Sequence, residues 1–342
     1  MKRLVICMVI ATMLLSLGAV YAQEGLEEDT CWTDRVCMFG YFQVRFVDDD
    51  RDEFSNFDLR RAFFTIKGDV DPRTTGIITF ARVGPGDPNV DIYNLFVDYR
   101  FDERYGIQAG QVPTWFGLEA WEGSSVRLPF ERAKILEAGP GFWFAGASDR
   151  GVWLRRAPEG PEEPLVVLGI WNGQFRADDM NEDKNISLDL KFNRDWGQFG
   201  ASWFDGSYVR TDAQGVELDE TRRAVDIYVR KFADPWGVQA EWVDGRMMGA
   251  DRDGWYLQGM YDLQDGKNVA FARYEEFNAS VDRDNRASYD GWTVGVRHKV
   301  YESGYITFQY TNGEWSRTGM VDGASGNNSE DLLGIQWQYE YR

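Results

Sequence analysis

One local pattern recurs along most of the chain: apolar side chains at alternate positions, polar ones between them. In 91–101, Tyr93, Leu95, Val97, Tyr99 and Phe101 share one face, and Asn94, Asp98 and Arg100 share the other with Phe96. In 184–194, Ile186, Leu188, Leu190 and Phe192 oppose Ser187, Asp189 and Lys191. In 290–300, Trp292, Val294, Val296 and Val300 oppose Thr293, Arg297 and Lys299. The chain ends with Leu333, Ile335, Trp337, Tyr339 and Tyr341 on one side and Gln336, Gln338, Glu340 and Arg342 on the other. Successive strand side chains point to opposite faces, so each segment is a strand with one apolar and one polar side. Helical periodicity is almost absent.

About sixteen such segments can be marked: 38–47, 57–70, 74–84, 91–101, 104–112, 148–157, 164–173, 184–194, 198–206, 222–233, 236–247, 251–263, 266–278, 290–300, 303–311 and 330–342. Short Asp-, Pro- and Gly-rich turns alternate with longer polar loops, for example 48–56, 174–183, 207–221, 279–289 and 312–329. Strands of ~9–11 residues cross a membrane when tilted, and short turns at one end with long loops at the other describe a transmembrane antiparallel β-barrel. A closed barrel satisfies every backbone polar group without a free edge. An even strand number returns both chain ends to one side of the membrane. A soluble sandwich shows the same alternation but explains neither the Trp- and Tyr-rich apolar faces nor the two connection lengths.

Composition supports this reading. Aromatics make up 15% of the chain and Gly is abundant at 36 residues. The N-terminus has a basic start (Lys2, Arg3), an apolar core from Leu4 to Leu17, and Val20-Tyr21-Ala22. This predicts a secretory signal over 1–22, cleaved after Ala22, then a short periplasmic segment 23–37 and a barrel over 38–342. Removing Lys2 and Arg3 takes the formal charge from −19 to −21. So acidic a chain repels phosphate backbones, so nucleic acid is not an expected partner. Cys31 and Cys37, with five residues between them, are candidates for a disulfide in an oxidising compartment; two free thiols are the alternative. No zinc-ligand spacing is present, and no metal or cofactor is expected.

Three stretches go beyond pattern: "FDLRRAFFTIKGDV" (57–70), "GIQAGQVPTWFGLEAWEGSSVRLPFERA" (106–133) and "LGIWNGQF" (168–175). They resemble the phosphate-selective porin O and P family: the paired arginines, the Gly-Gln strand followed by Pro and Phe-Gly, the Phe-Glu-Arg run, and the strand ending in Asn-Gly. The resemblance implies a sixteen-stranded porin of the Gram-negative outer membrane, commonly trimeric, with the third loop folded into the pore. Two positions depart from the family. Val112 stands where a basic residue is common, and Arg342 follows Tyr341 where such barrels usually end in an aromatic residue. Phosphate specificity does not carry over.

Pore selectivity follows the charge lining the lumen, and total charge misleads. Alternation assigns Arg61, Lys67, Arg82, Arg100, Lys191, Arg230, Arg273, Arg297, Lys299 and Arg342 to the lumen, against Asp98, Asp189, Asp226, Glu241, Glu275 and Glu340. Much of the negative excess sits in loops, as at Asp48, Asp49, Asp50, Asp52 and Glu53. These acids are either simply solvated or bridged to lipopolysaccharide by divalent cations. The third loop, about 113–147, carries Arg127, Glu131, Arg132, Lys134 and Glu137. Folded inward, they form a constriction favouring small anions, or they pair with one another and hold the loop.

Catalysis is not expected. His298, near a strand end, is the only His, and its nearest Ser is Ser303 in a turn. The expected function is passive diffusion of small hydrophilic solutes through a homotrimeric porin embedded among lipid and lipopolysaccharide. The alternative is a barrel acting as a sleeve for a surface or electron-transfer partner, with little open conductance.

Overall fold

The structure is a computed structural model that describes residues 31–49, 54–84, 89–137, 141–142, 147–211, 217–247, 249–263, 267–281, 284–318 and 329–341. The expected signal sequence and the charges of Asp50, Asp52, Glu53 and Arg342 lie outside the described residues.

A three-residue strand β1 (Cys31–Thr33) precedes sixteen longer ones. These are β2 (Val36–Asp49), β3 (Phe54–Asp71), β4 (Thr74–Val83), β5 (Asp91–Arg100), β6 (Tyr105–Pro113), β7 (Ser148–Arg156), β8 (Leu165–Trp171) and β9 (Asn185–Arg194). The second half holds β10 (Gly197–Thr211), β11 (Glu217–Ala233), β12 (Trp236–Met247), β13 (Ala250–Asp262), β14 (Asn268–Ser280), β15 (Arg286–Tyr301), β16 (Gly304–Thr318) and β17 (Ser329–Tyr341). From β2 on, each strand pairs antiparallel with the next, and β17 pairs back with β2, closing a sixteen-stranded barrel. β1 pairs with the start of β2, where Cys31 and Cys37 are joined by a disulfide.

Burial is inside out. On β11, Ile227 is 54% exposed while its neighbour Asp226 is fully buried. Outward faces carry Leu95, Val152, Leu168, Val229, Leu257 and Val294, all exposed. In water so much open apolar surface would be unfavourable; against acyl chains it is neutral. Trp203, Trp242, Trp255, Tyr274 and Trp292 mark one edge of the apolar band, and Phe101, Tyr105, Trp196, Trp236 and Tyr301 the other.

The strands run longer than alternation suggested. β10–β11 and β14–β15 consume most of the expected loops 207–221 and 279–289. In these extensions one face stays buried, as at Tyr208, Arg222, Ala279 and Ala287, but the outer face carries polar residues such as Glu217, Asp219 and Thr221, so the apolar-polar alternation disappears although backbone pairing continues. Bulges between Gln43 and Val44 and between Thr79 and Phe80 change which residues point inward. The second lets Tyr93, expected beside Leu95, meet the inward Phe63 with ring centroids 5.3 Å apart.

Candidate functional site: a loop tied across the lumen

Between β6 and β7 the chain leaves the wall, and residues 114–137 and 141–142 lie in the barrel interior. Gly117 opens a single helical turn, α1 (Leu118–Trp121), with φ +77, a left-handed conformation that favours glycine. Its N–H donates to Ser202 Oγ at 2.9 Å, and the Leu118 N–H donates to Glu241 Oε1 at 2.6 Å. Trp121 Nε1 donates to Asp189 Oδ1 at 2.9 Å, and Glu122 pairs with Arg230. The loop then reaches the opposite wall. Gln43 Nε2 donates to the Ser124 carbonyl at 3.0 Å and Gln338 Nε2 to that of Ser125 at 2.8 Å. Arg297 donates to the carbonyls of Ser125, Val126 and Arg127. Phe130 N–H donates to Gln309 at 2.8 Å, and Lys134 N–H to Glu275 at 2.5 Å.

The charged centre of this arrangement is Glu131. Its carboxylate accepts from Arg45 Nη1 at 2.7 Å, Arg60 Nε at 2.5 Å and Arg61 Nη2 at 2.6 Å. The β2–β3 bulge turns both Arg60 and Arg61 toward it. Burial alone would raise the Glu131 pKa, but Arg61, Arg60 and Arg45 overcome it and hold the carboxyl well below the usual range. Burial likewise opposes the charge of Lys134, yet Glu137 at 2.8 Å and Glu330 at 3.2 Å raise its pKa. Arg127 is buried, and burial followed by the nearby Arg132 lowers its pKa to about 10. Ile135, Leu136 and Phe142 complete the attachment, joining a buried cluster with Met247, Tyr256 and Phe277.

Several expected lumen residues therefore have other work. Arg61, Arg230, Arg273 and Arg297 point inward, but they bind the loop. Arg273 reaches Glu119, Glu275 and the Glu131 and Arg132 carbonyls. Among the five loop residues, Glu131, Lys134 and Glu137 are taken up in ion pairs. Arg82 is a correction: it pairs with Ala62, on the outward side with Phe64, and donates to the Leu59 carbonyl. Thr75, Thr79 and Ala81 occupy the inward phase of β4, so the neighbouring Arg82 falls out of it. Lys67, Arg100 and Lys299 keep the inward phase near the short-turn rim, and Lys191 lies 5.0 Å from the Trp121 ring centroid. Sequence reasoning missed Arg45, Arg60 and Arg155. Arg45 was legible from the Gln43–Arg45 alternation, whereas Arg60 needed the bulge.

Inward side chains differ in exposure around the barrel. Asp226, Gln239, Glu241, Tyr256, Gln258 and Thr293, on β11–β15, are all buried. Asn94, Asp98, Gln108, Arg155 and Lys191, on β5–β9, remain partly exposed, as do Trp115 and Trp121 on the loop side. The Trp115 and Trp121 rings stack at 4.5 Å.

A barrel of this strand number with a loop folded from the third long connection is a recognisable porin arrangement. Residues 38–187 match the phosphate-selective porin O and P family. The fold is that of outer-membrane porins. OmpT of Vibrio cholerae, an outer membrane protein, superposes with a TM-score of 0.69 at 13% identity, over 92% of this chain and 100% of that one. The outer membrane channel DcaP of Acinetobacter baumannii gives 0.62 at 12% identity, over 90% and 97%. A mutant of the Rh. blastica porin gives 0.59 at 14% identity, over 90% and 100%. No curated protein matches the chain.

Proposed function

We propose that this porin-like chain is a passive diffusion channel of the Gram-negative outer membrane, not an enzyme, and that it works as a homotrimer among lipid and lipopolysaccharide. The observation that carries the reading is the loop segment 114–137, held across a polar interior by the Glu131 arginine cluster on one side and by Glu241 and Ser202 on the other. A loop that only closed a barrel end would not need anchors on opposite walls. The passage runs along β4–β9 beside the partly exposed Asn94, Asp98, Gln108, Arg155 and Lys191, whose inward neighbours Phe96, Trp153, Trp171 and Asp189 are buried. Family matching and the trimer form of Vibrio cholerae OmpT support channel and assembly.

Weak anion preference is assigned to Arg155 and Lys191, the partly exposed inward cations of β7 and β9; Arg155 lies 3.6 Å from Asp98. Replacing both Lys191 and Arg155 by Gln shifts the reversal potential in a salt gradient toward cations. An unchanged potential contradicts this assignment. The sleeve reading draws on one observation, the burial of Asp226, Gln239, Glu241, Tyr256, Gln258 and Thr293 on the inner face of β11–β15. Planar-bilayer recording separates the two: stepwise, long-lived conductance supports the channel, and an inserted barrel without steps supports the sleeve.

A further inference from the structure

A loop beside a water-filled passage is expected to show it polar groups, but this one also shows it indole. Trp115 and Trp121 both keep part of their surface exposed. Their rings stack at 4.5 Å with planes 19° apart. Trp121 is fixed further, because its Nε1 is taken by Asp189 and Lys191 Nζ stands 5.0 Å from its ring centroid. What the pair leaves exposed is therefore rigid apolar surface, and a solute that covers it does not have to order it. Phe63 on β3 and Tyr93 on β5 add two more partly exposed rings, with centroids 5.3 Å apart. Ring surface turned to water is unfavourable, so a lumen that keeps it suits a solute with an apolar face.

The polar groups nearby are a mixed set. Gln108 Nε2 donates to Asp98 Oδ2 at 2.7 Å, and Arg155 lies 3.6 Å from the same carboxylate. Nearer the long-loop end, Asn94 Oδ1 accepts from Ser148 Oγ at 2.6 Å. Asn94, Asp98, Gln108 and Arg155 all stay partly exposed. A carboxylate accepts, a guanidinium donates and a carboxamide does both. A hydroxyl also does both, so neighbouring hydroxyls are matched by this set. An anion only accepts, and Asp98 adds nothing to its binding. The rings discriminate the same way: the negative π face repels anions and attracts positively polarised C–H groups. An uncharged solute with a C–H face and hydroxyls round its edge, a pyranose, meets both requirements.

We propose that the passage along β5–β9 is a saccharide-binding track, in which one pyranose ring lies against Trp115 and Trp121 and linked rings present their hydroxyls to Arg155, Gln108 and Asp98. The inference rests on the channel reading above and names a solute class for it. Length follows from the register. Lys191 on β9, over Trp121, and Gln108 on β6 are three strand spacings apart, roughly 14 Å. A single ring does not bridge that distance; a short linear oligosaccharide does.

The test is planar-bilayer recording with maltotriose, cellotriose and xylotriose added in turn to one side. At least one is expected to interrupt the open-channel current in resolved, concentration-dependent events. Sorbitol, which has hydroxyls but no ring face, and a polyethylene glycol of matched mass are expected to leave the current uninterrupted. Trp115→Ala shortens the events roughly ten-fold, the scale of one aromatic stacking contact, and Trp115→Phe restores most of their length. Should Trp115→Ala fail to insert, the wild-type comparison of trisaccharide with sorbitol and polyethylene glycol decides. Conductance steps that none of the three trisaccharides interrupts overturn this inference alone. So do equal interruptions by polyethylene glycol, or events of unchanged length in Trp115→Ala. An inserted wild-type barrel without steps overturns the channel reading, and this inference with it.

Discussion

Glu131→Gln is expected to raise single-channel conductance and open-channel noise, and to destabilise the barrel by roughly 3 kcal/mol. The substitution removes the one carboxylate that Arg45, Arg60 and Arg61 all reach, leaving three guanidiniums packed together in a site from which water is largely excluded. Their repulsion, not the lost hydrogen bonds, is the larger effect. The loop segment around Phe130 and Glu131 then detaches from β2 and β3, and the passage widens. Thermal unfolding and bilayer recording of the variant check both parts; unaltered conductance means the loop is held elsewhere. The pH dependence has a fixed sign. A carboxyl whose folded pKa is depressed stabilises above its unfolded value and loses that contribution only as pH falls through the folded one. The folded value of Glu131 lies well below the ordinary ~4.3, so its contribution to stability stays constant from pH 8 down to about 4.5.

Gly117→Val has the second large effect. Gly117 holds φ +77, which a β-branched residue adopts at a cost of about 1–3 kcal/mol. A Cβ there also overlaps Glu241 Oε1 and comes within 2.9 Å of Asp226 Oδ2, both on buried side chains of the wall. The loop cannot dock on β10 and β12 in the same pose, and its two amide hydrogen bonds to Ser202 and Glu241 are lost. The expected result is a folded barrel with altered, unsteady conductance. Gly123→Ala is the control: its Cβ meets only Ser125 Oγ at 3.7 Å, so conductance and stability stay within error.

Most of the barrel was readable from alternation because lipid and lumen impose opposite demands on neighbouring residues. The last strand, expected at 330–342, is Ser329–Tyr341, and its Gln336 and Gln338 are buried inside as their phase required. Reading failed where a bulge shifts the phase, as at Tyr93, and where the wall outgrows the membrane, as in β10–β11. The site was less legible. Arg297 and Arg273 are correctly inward, yet alternation gives only the direction of a side chain and says nothing of what occupies the lumen in front of it. Glu131 was marked as a constriction residue, but its three arginine partners come from strands more than 65 positions away in sequence and converge only when β2, β3 and the loop are assembled.

The central claim is that solutes pass along β4–β9 while the loop seals the opposite wall. Single cysteines probed with a charged thiol reagent during planar-bilayer recording test it most directly, since Cys31 and Cys37 are already joined. Gln108→Cys and Asn94→Cys are expected to lose conductance stepwise on reagent addition, and Gln239→Cys, behind the loop, to be unaffected. Block at Gln239→Cys with none at Gln108→Cys or Asn94→Cys would place the passage on the other side of the loop and contradict the account.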